Sequence, residues 1–473
     1  LAGVRVLDLT RVLAGPYATT LLYELGAEIL KIEQPGHGDD TRAFPPFQNG
    51  ESVYFASINR GKRSLALDLK DPKDRAIFEE LLPKADVLIE NFRPGTMDRL
   101  GYGHESLMAR YRGLIYCSIS GFGHTGPYAQ EPAYDLIVQA LGGMISINGP
   151  EGGQGLRLGV SLGDLAAGVF AALAVSAALY ERKSSGAGRF IDMAMMDVQT
   201  MLLESALVRQ LATGETQKPT GSRHPVITPF DVFQAKDGPI AIAAANDHLY
   251  ANLCAGLSRP DLIQPPFADM MSRYRNQAAL KEQIEKTLAE KTVAEWVAHL
   301  TAAGAPAAPI HTMKEVAQDP HLHARGMFVT VEDPEMGPLT MTGSAFKISG
   351  YAHRPTRPPA PAQRFWRSWA AIRRRPENAK KDLPKKASGK DPPGRTQGCS
   401  PLTPHRRGEG VAKRMAAKPW LLSVLALKGK RDHRHLAFGE WPMRSGGAVK
   451  IRSRFGQEDL RAPRKRASAD LLR

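Results

Sequence analysis

The alternation of short apolar strands with helices through the first 120 residues constrains this chain more than any other feature. Residues 4–9 form an apolar strand. Residues 17–25 read as a helix that follows Gly15-Pro16 and stops at Gly26. Strand patterns recur at 28–33, 64–69, 87–90 and 114–118. Asp71 is placed to cap a helix that begins at Pro72 and ends near residue 82. Repeated βαβ units predict a parallel sheet covered by helices on both faces, because parallel neighbours need a long crossover. The fold class is therefore α/β.

At roughly 150 residues per domain, a chain of 473 suggests about three domains, or two and an extension. Residues 1–200 read as the large domain and 201–224 as a linker. A smaller α+β domain follows at 225–325, with strands at 231–233 and 240–243 turning at Lys236-Asp-Gly238 and helix over 277–300. Residues 326–362 are strand-like, then Pro-rich, and read as a return to the large domain. The longest uncharged apolar run, 165–180, is shorter than the ~20 residues of a membrane span and reads as a core helix ending in a glycine-rich stop. No membrane partner is expected. The opening residues read as a strand and not as a secretory leader, and the missing initiator Met suggests that a few residues precede them. Cys117, Cys254 and Cys399 stand far apart, which excludes a disulfide scaffold and fits a reducing, cytoplasmic setting.

Charge divides the chain at its end. The net charge is +15, yet residues 363–473 hold 29 Lys and Arg against 9 Asp and Glu. That tail carries +20 and the preceding residues −5. Four of the five Trp lie there, without helical or strand periodicity. The tail reads as a disordered basic extension or as out-of-frame translation of a GC-rich gene. A nucleic-acid-binding arm is the third reading, and a basic count without clustered presentation argues little for it.

In a doubly wound sheet, ligands bind beyond the carboxyl ends of the strands. Four loops leave that edge: Leu13-Ala-Gly-Pro16, residues 34–39, Asn91-Phe-Arg-Pro-Gly95 and Ser120-Gly-Phe-Gly123. With Lys70 and Arg99 they suit an extended, phosphate-bearing ligand with an adenine end. Gly121-Phe-Gly-His-Thr-Gly126 matches a dinucleotide pattern, but Pro127 interrupts it and no acidic residue follows at the required distance. No P-loop is present. Gly159-Val-Ser161-Leu-Gly163 matches the serine-hydrolase elbow, making Ser161 the nucleophile of a rival thioesterase reading; a helix-starting serine is the plainer one. Asp135 follows Pro132 in the first turn of a helix. The helix dipole there favours the ionised carboxylate that attack on an activated acyl group requires. Ordinary helix stabilisation accounts for the same placement, and Asp164 shares the ambiguity. His321 and His323 read as loop residues, and no metal site is indicated.

These residues resemble the family III CoA-transferases, the CaiB/BaiF type. The likeness runs in order through Leu7-Asp-Leu-Thr-Arg-Val-Leu-Ala-Gly-Pro16, Gly26-Ala-Glu-Ile-Leu-Lys-Ile-Glu33, Gly38-Asp-Asp-Thr-Arg42 and Asn59-Arg-Gly-Lys-Arg-Ser64. It continues through Ala85-Asp-Val-Leu-Ile-Glu-Asn-Phe-Arg-Pro-Gly95, Ser120-Gly-Phe-Gly123 and Ala133-Tyr-Asp135, then residues 186–197 and Asp319-Pro320, and covers about 1–360. Among members, the chain looks most like those moving CoA between small dicarboxylic acids, such as succinyl-CoA:glutarate CoA-transferases.

The resemblance implies a Rossmann-like CoA domain, a smaller domain and a homodimer of interlocked ring-like chains. It implies coenzyme A as cosubstrate, with no permanently bound cofactor. It gives Asp135 the nucleophile's role. CoA-binding positions carry over to Leu13, Ala14, Gln34, Leu67, Asp68, Leu69, Lys70, Asn91, Phe92, Arg93, Arg99, Ser120, Gly121, Phe122 and Gly123. Arg93, Arg99 and Lys70 would meet phosphates. Related racemases place a His where Tyr134 stands, so transfer is favoured over α-proton abstraction, with an acyl-CoA racemase as the alternative within the family. Leu13 stands where some transferases have Gln. Arg223 is a candidate for meeting an acid substrate. The family's Gly-Glu-His-Thr ending is replaced by the basic tail, which supports the out-of-frame reading.

Overall fold

Strand alternation explains how the central sheet is covered. The computed structural model describes residues 1–351. Six strands, β1 (Arg5–Asp8), β2 (Glu28–Glu33), β3 (Arg63–Ala66), β4 (Val87–Glu90), β5 (Ile115–Ser120) and β6 (Phe190–Ala194), form one sheet. All neighbours are parallel, in the order β3-β2-β1-β4-β5-β6. The strand order therefore reverses between β1 and β4, the position at which such sheets open a crevice for ligands. Five helices frame the core and the site: α1 (Ala14–Glu24), α2 (Pro72–Leu81), α3 (Asp135–Leu141), α4 (Leu162–Ser185) and α5 (Met195–Met201).

Successive residues of each strand face opposite sides. Val6, Ile29, Val87, Ile89, Ile115 and Cys117 pack with α1 and α4. Leu7, Leu30, Leu88 and Tyr116 pack with Phe78 and Leu81 of α2 on the other side. Helix α2 starts as its sequence dictates: Asp71 accepts a hydrogen bond from the Lys73 amide at 2.7 Å and Pro72 is the first residue. Helix α4 is longer than the apolar run implied, at 24 residues, and ends at Gly186 in the left-handed region. It is long and apolar enough to cross a bilayer, but Ala167, Ala171, Ala172 and Val175 are buried in the sheet core. Its Gly168 admits α1, since a Cβ there would lie 2.8 Å from the Ala14 carbonyl oxygen. Strand β6 escaped the sequence reading because it is a half-buried edge strand without a continuous apolar run.

The smaller module holds three antiparallel strands, β7 (Phe230–Gln234), β8 (Pro239–Ala243) and β9 (Ala307–Pro309), in the order β9-β8-β7. Its own core includes Tyr250, Leu253, Trp296 and Leu300. The helix expected over 277–300 is two helices, Gln277–Leu288 and Val293–Ala302. Thr292 and Glu295 form a reciprocal capping box that starts the second. The expected linker carries a helix, Glu204–Thr213. The strand-like stretch is a hairpin, β10 (Phe328–Asp333) with β11 (Gly337–Thr342). Met336, Leu339 and Met341 pack on Ala56, and Gln48 donates to the Met336 and Pro338 carbonyls, so this hairpin packs against residues 48–56. The Pro-rich stretch and the basic tail lie outside the described residues.

Candidate active site

Because the sheet is parallel, the loops after β1 to β5 emerge at one edge. A cavity of about 330 Å³ opens there. Of the residues assigned to CoA by resemblance, Gln34, Leu67, Asp68, Leu69, Lys70 and Phe92 line it, joined by Thr10, Arg11, Lys31, residues 37–40 and Thr96. Leu13, Ala14, Asn91, Arg93, Arg99 and Ser120 to Gly123 do not line it. Asn91 instead clamps the neighbouring loop. It accepts from the Arg11 amide at 2.9 Å and donates to the Arg11 carbonyl at 2.8 Å. Arg93 and Arg99 are exposed near this edge, and Arg99 donates to Thr96 Oγ1 at 3.0 Å.

A buried ion network braces the cavity. In register, Asp8 of β1 lies beside Lys31 of β2. Lys31 Nζ pairs with Asp39 at 2.9 Å and donates to the Thr10 carbonyl at 2.6 Å. Lys62 Nζ pairs with Asp8 at 3.2 Å and donates to the Pro16 carbonyl and Asn59. Burial alone would raise the Asp8 carboxyl, but Lys62 and Lys31 hold it below its usual range. Burial pulls Lys62 down to about 8 despite Asp8. Asp39 also accepts from the Val12 amide at 3.2 Å. Val12 sits at φ +66°, a strained position for a β-branched residue, held by that bond and its neighbours.

Asp135 is the first residue of α3 and is only 7% exposed. Tyr134 before it is extended and 74% exposed. Both carboxylate oxygens are held: Oδ1 accepts from the Gly163 amide at 2.8 Å, and Oδ2 from Gln139 Nε2 at 2.8 Å. Gln139 is itself anchored, accepting from the Leu158 amide at 2.9 Å. The Ser120–Gly123 turn lies against this segment. A Cβ on Gly121 would collide with Ala133 Cβ at 2.1 Å, which explains the glycine, and Ser120 Oγ accepts from the Gly123 amide. Of the expected ligand positions, Gln34, Leu67 to Lys70 and Phe92 line the cavity and the Ser120–Gly123 turn lies beside the Asp135 segment, while Leu13, Ala14, Asn91, Arg93 and Arg99 fall in neither group. Leu13 and Ala14 form the buried start of α1. Sequence reading missed Gln139 and Gly163 as the partners of Asp135; only Gln139 carried a signal, four residues after Asp135 on one helix face.

Asp164, in the first turn of α4, is pushed up to about 7 by burial and by the nearby Asp135 charge. An acid whose folded pKa exceeds its ordinary 3.8 binds its proton more tightly when folded. Its stabilisation is complete below about pH 4 and is lost as pH rises through about 7. Asp164→Asn should therefore flatten the decline of melting temperature between pH 5 and 8. Parallel curves for the two proteins would refute the shift.

Ser161 lies at the end of an irregular segment, 155–161, with no strand before α4. The strand–turn–helix context of a hydrolase elbow is absent. Arg223 donates to Glu151 at 2.7 Å, so its guanidinium is already engaged. The side-chain and backbone donors on Asp135 are Gln139 and Gly163, not a histidine.

The family model for CoA-transferase family III matches residues 1–364. The chain belongs to CoA-transferase family III. This transferase is 46% identical over 361 residues to the acetyl-CoA:oxalate CoA-transferase of Acetobacter aceti, covering 76% of this chain and 92% of that one. It is 38% identical over 361 residues to the succinyl-CoA:glutarate CoA-transferase of Homo sapiens, covering 76% and 82%. A solved CaiB/BaiF family protein from Brucella suis superposes with a TM-score of 0.68 at 35% identity, covering 76% of this chain and 96% of that one. The transferase is an enzyme with coenzyme A as a substrate, on a mixed α/β fold shared with that neighbour.

Proposed function

We propose that this transferase moves CoA from an acyl-CoA donor to a small carboxylic acid, a dicarboxylate foremost, through an aspartyl-CoA thioester on Asp135. The observation that carries the reading is Asp135 itself: a buried carboxylate at a helix N-terminus, with both oxygens fixed and no cationic partner among its hydrogen bonds. Relatives named for oxalate and glutarate, and one from Haloarcula hispanica named for mesaconate at 40% identity, support small dicarboxylates. Asp135 attacks the thioester carbonyl, the C–S bond breaks and CoA thiolate leaves. The thiolate then attacks the aspartyl carbon of the anhydride, and the donor acid departs with one former Asp135 oxygen. The acceptor carboxylate attacks the aspartyl thioester, and the thiolate returns to the acceptor's acyl carbon. One thioester replaces another, so neither ATP nor net proton transfer is required. CoA itself is held at the cavity edge, where Lys70, Arg93 and Arg99 supply phosphate-complementary charge.

The test is turnover with succinyl-CoA and a panel of acids, reading new acyl-CoA species by mass spectrometry. An acceptor labelled with ¹⁸O in its carboxylate should leave label in Asp135. New thioester without label in Asp135 would overturn the covalent route, and free CoA alone would favour hydrolysis.

We also propose a homodimer. Val169, Leu173 and Tyr180 of α4 and Val208 and Leu211 of the 204–213 helix are exposed apolar side chains. Light scattering is expected to give twice the chain mass; a fully active monomer would contradict this.

A further inference from the structure

Gln199 of α5 is fully buried, yet neither its Oε1 nor its Nε2 has a hydrogen-bond partner among the described residues. An unsatisfied buried amide is costly and calls for an explanation. Its position offers one. A Cβ built on Gly163 would lie 3.1 Å from Asp135 Oδ1 and 3.4 Å from Gln199 Oε1. The same test on Gly142 meets the Gln199 amide carbon at 3.5 Å. Two glycines thus leave room for the amide to reach the Oδ1 side of Asp135. No contact fixes which end of the amide faces Asp135, so a half-turn of its terminal torsion can present Nε2.

We propose that Gln199 Nε2 and the Gly163 amide together form the oxyanion site for the Asp135 carbonyl. This rests on Asp135 being the covalent nucleophile. Oδ1, held by the Gly163 backbone amide and sharing with Gln199 Oε1 the space left beside Gly163, is the oxygen that stays on the aspartyl carbon. Oδ2, held by the Gln139 side chain, is the one that attacks and is exchanged. When thiolate adds to the aspartyl carbon, the C=O electron pair moves onto Oδ1. When the tetrahedral centre collapses, it returns and the bond to the departing carboxylate oxygen breaks. The amide, without a partner among the described residues, gains one as charge develops, so its contribution falls on the transition state.

The experiment compares Gln199→Met and Gln199→Leu with wild type and with Asp135→Ala in the full chain, using succinyl-CoA and the best acceptor. Both Gln199 variants are expected to lose about 10²- to 10³-fold in kcat with KM for acyl-CoA within about twofold. Their melting temperature should hold or rise, because an unsatisfied buried amide has been replaced by an apolar group of like size. Unchanged kcat in either variant overturns the inference. A lower melting temperature with kcat loss and KM rise in parallel also overturns it, since that marks a packing role. An active Asp135→Ala would remove the nucleophile assignment itself; an inactive Asp135→Ala with fully active Gln199→Met would remove this inference alone.

Discussion

Asp135→Ala is expected to lower kcat by a factor on the order of 10⁴ or more, with acyl-CoA binding retained. In the proposed route, the substitution deletes the carboxylate that would form the covalent bond. The cavity proposed to hold CoA, built from the loops after β1, β2, β3 and β4, does not include residue 135. Loss of turnover should therefore appear in kcat, while isothermal titration with CoA changes little. Asp135→Asn is the sharper variant. It keeps the size of the side chain, but its amide nitrogen would face the Gly163 N–H or Gln139, which already donate. It should be as inactive as the alanine variant. Substantial turnover in either would remove the mechanism proposed here.

Lys31→Met should destabilise the fold by about 3–5 kcal/mol in denaturant titration. Lys31 is wholly buried, paired with Asp39 and donating to Thr10. Burial works against its charge, but Asp8, Asp39 and Glu33 raise its pKa above the usual value. Removing the ammonium leaves the Asp39 carboxylate buried without its compensating cation, while Asp8 keeps Lys62. It also unpins residues 10 and 39, both in the cavity wall, so CoA affinity should fall together with stability. Lys31→Met/Asp39→Asn should recover part of the loss, because the uncompensated charge is then gone. A single variant within about 1 kcal/mol of wild type would show that the network is not what holds the loops.

The two predictions address parts of the molecule that were unequally legible. The first five strands of the sheet and helices α1 and α2 followed from apolar runs, Asp71-Pro72 and the glycine stops, because local chain chemistry sets where elements begin and end; the helix Val53–Asn59 and the short hairpin before it went unread. The parallel direction followed as well, since each crossover is helix-length. Asp135 was visible as a carboxylate behind Pro132, and the ordered motifs carried the family. The split of the 277–300 helix was also written locally, in Thr292 and Glu295, though it was not read. A lysine inside Ile29-Leu-Lys-Ile32 signalled that a buried charge needed a partner, but not which one.

The sequence by itself determined the class of fold and the family, and it singled out the sheet edge and the carboxylate on which the proposed function rests. Only the tertiary structure decided that Asp8 stands beside Lys31, that Asn91 clamps Arg11, and that Gly163 and Gln139 hold the two oxygens of Asp135. It alone brought Gln199, 64 positions along the chain from Asp135, to the same glycine, Gly163, that holds that carboxylate. The physical reason is that periodicity and capping act within one element. Register between strands and the meeting of helix ends depend on how separate elements pack.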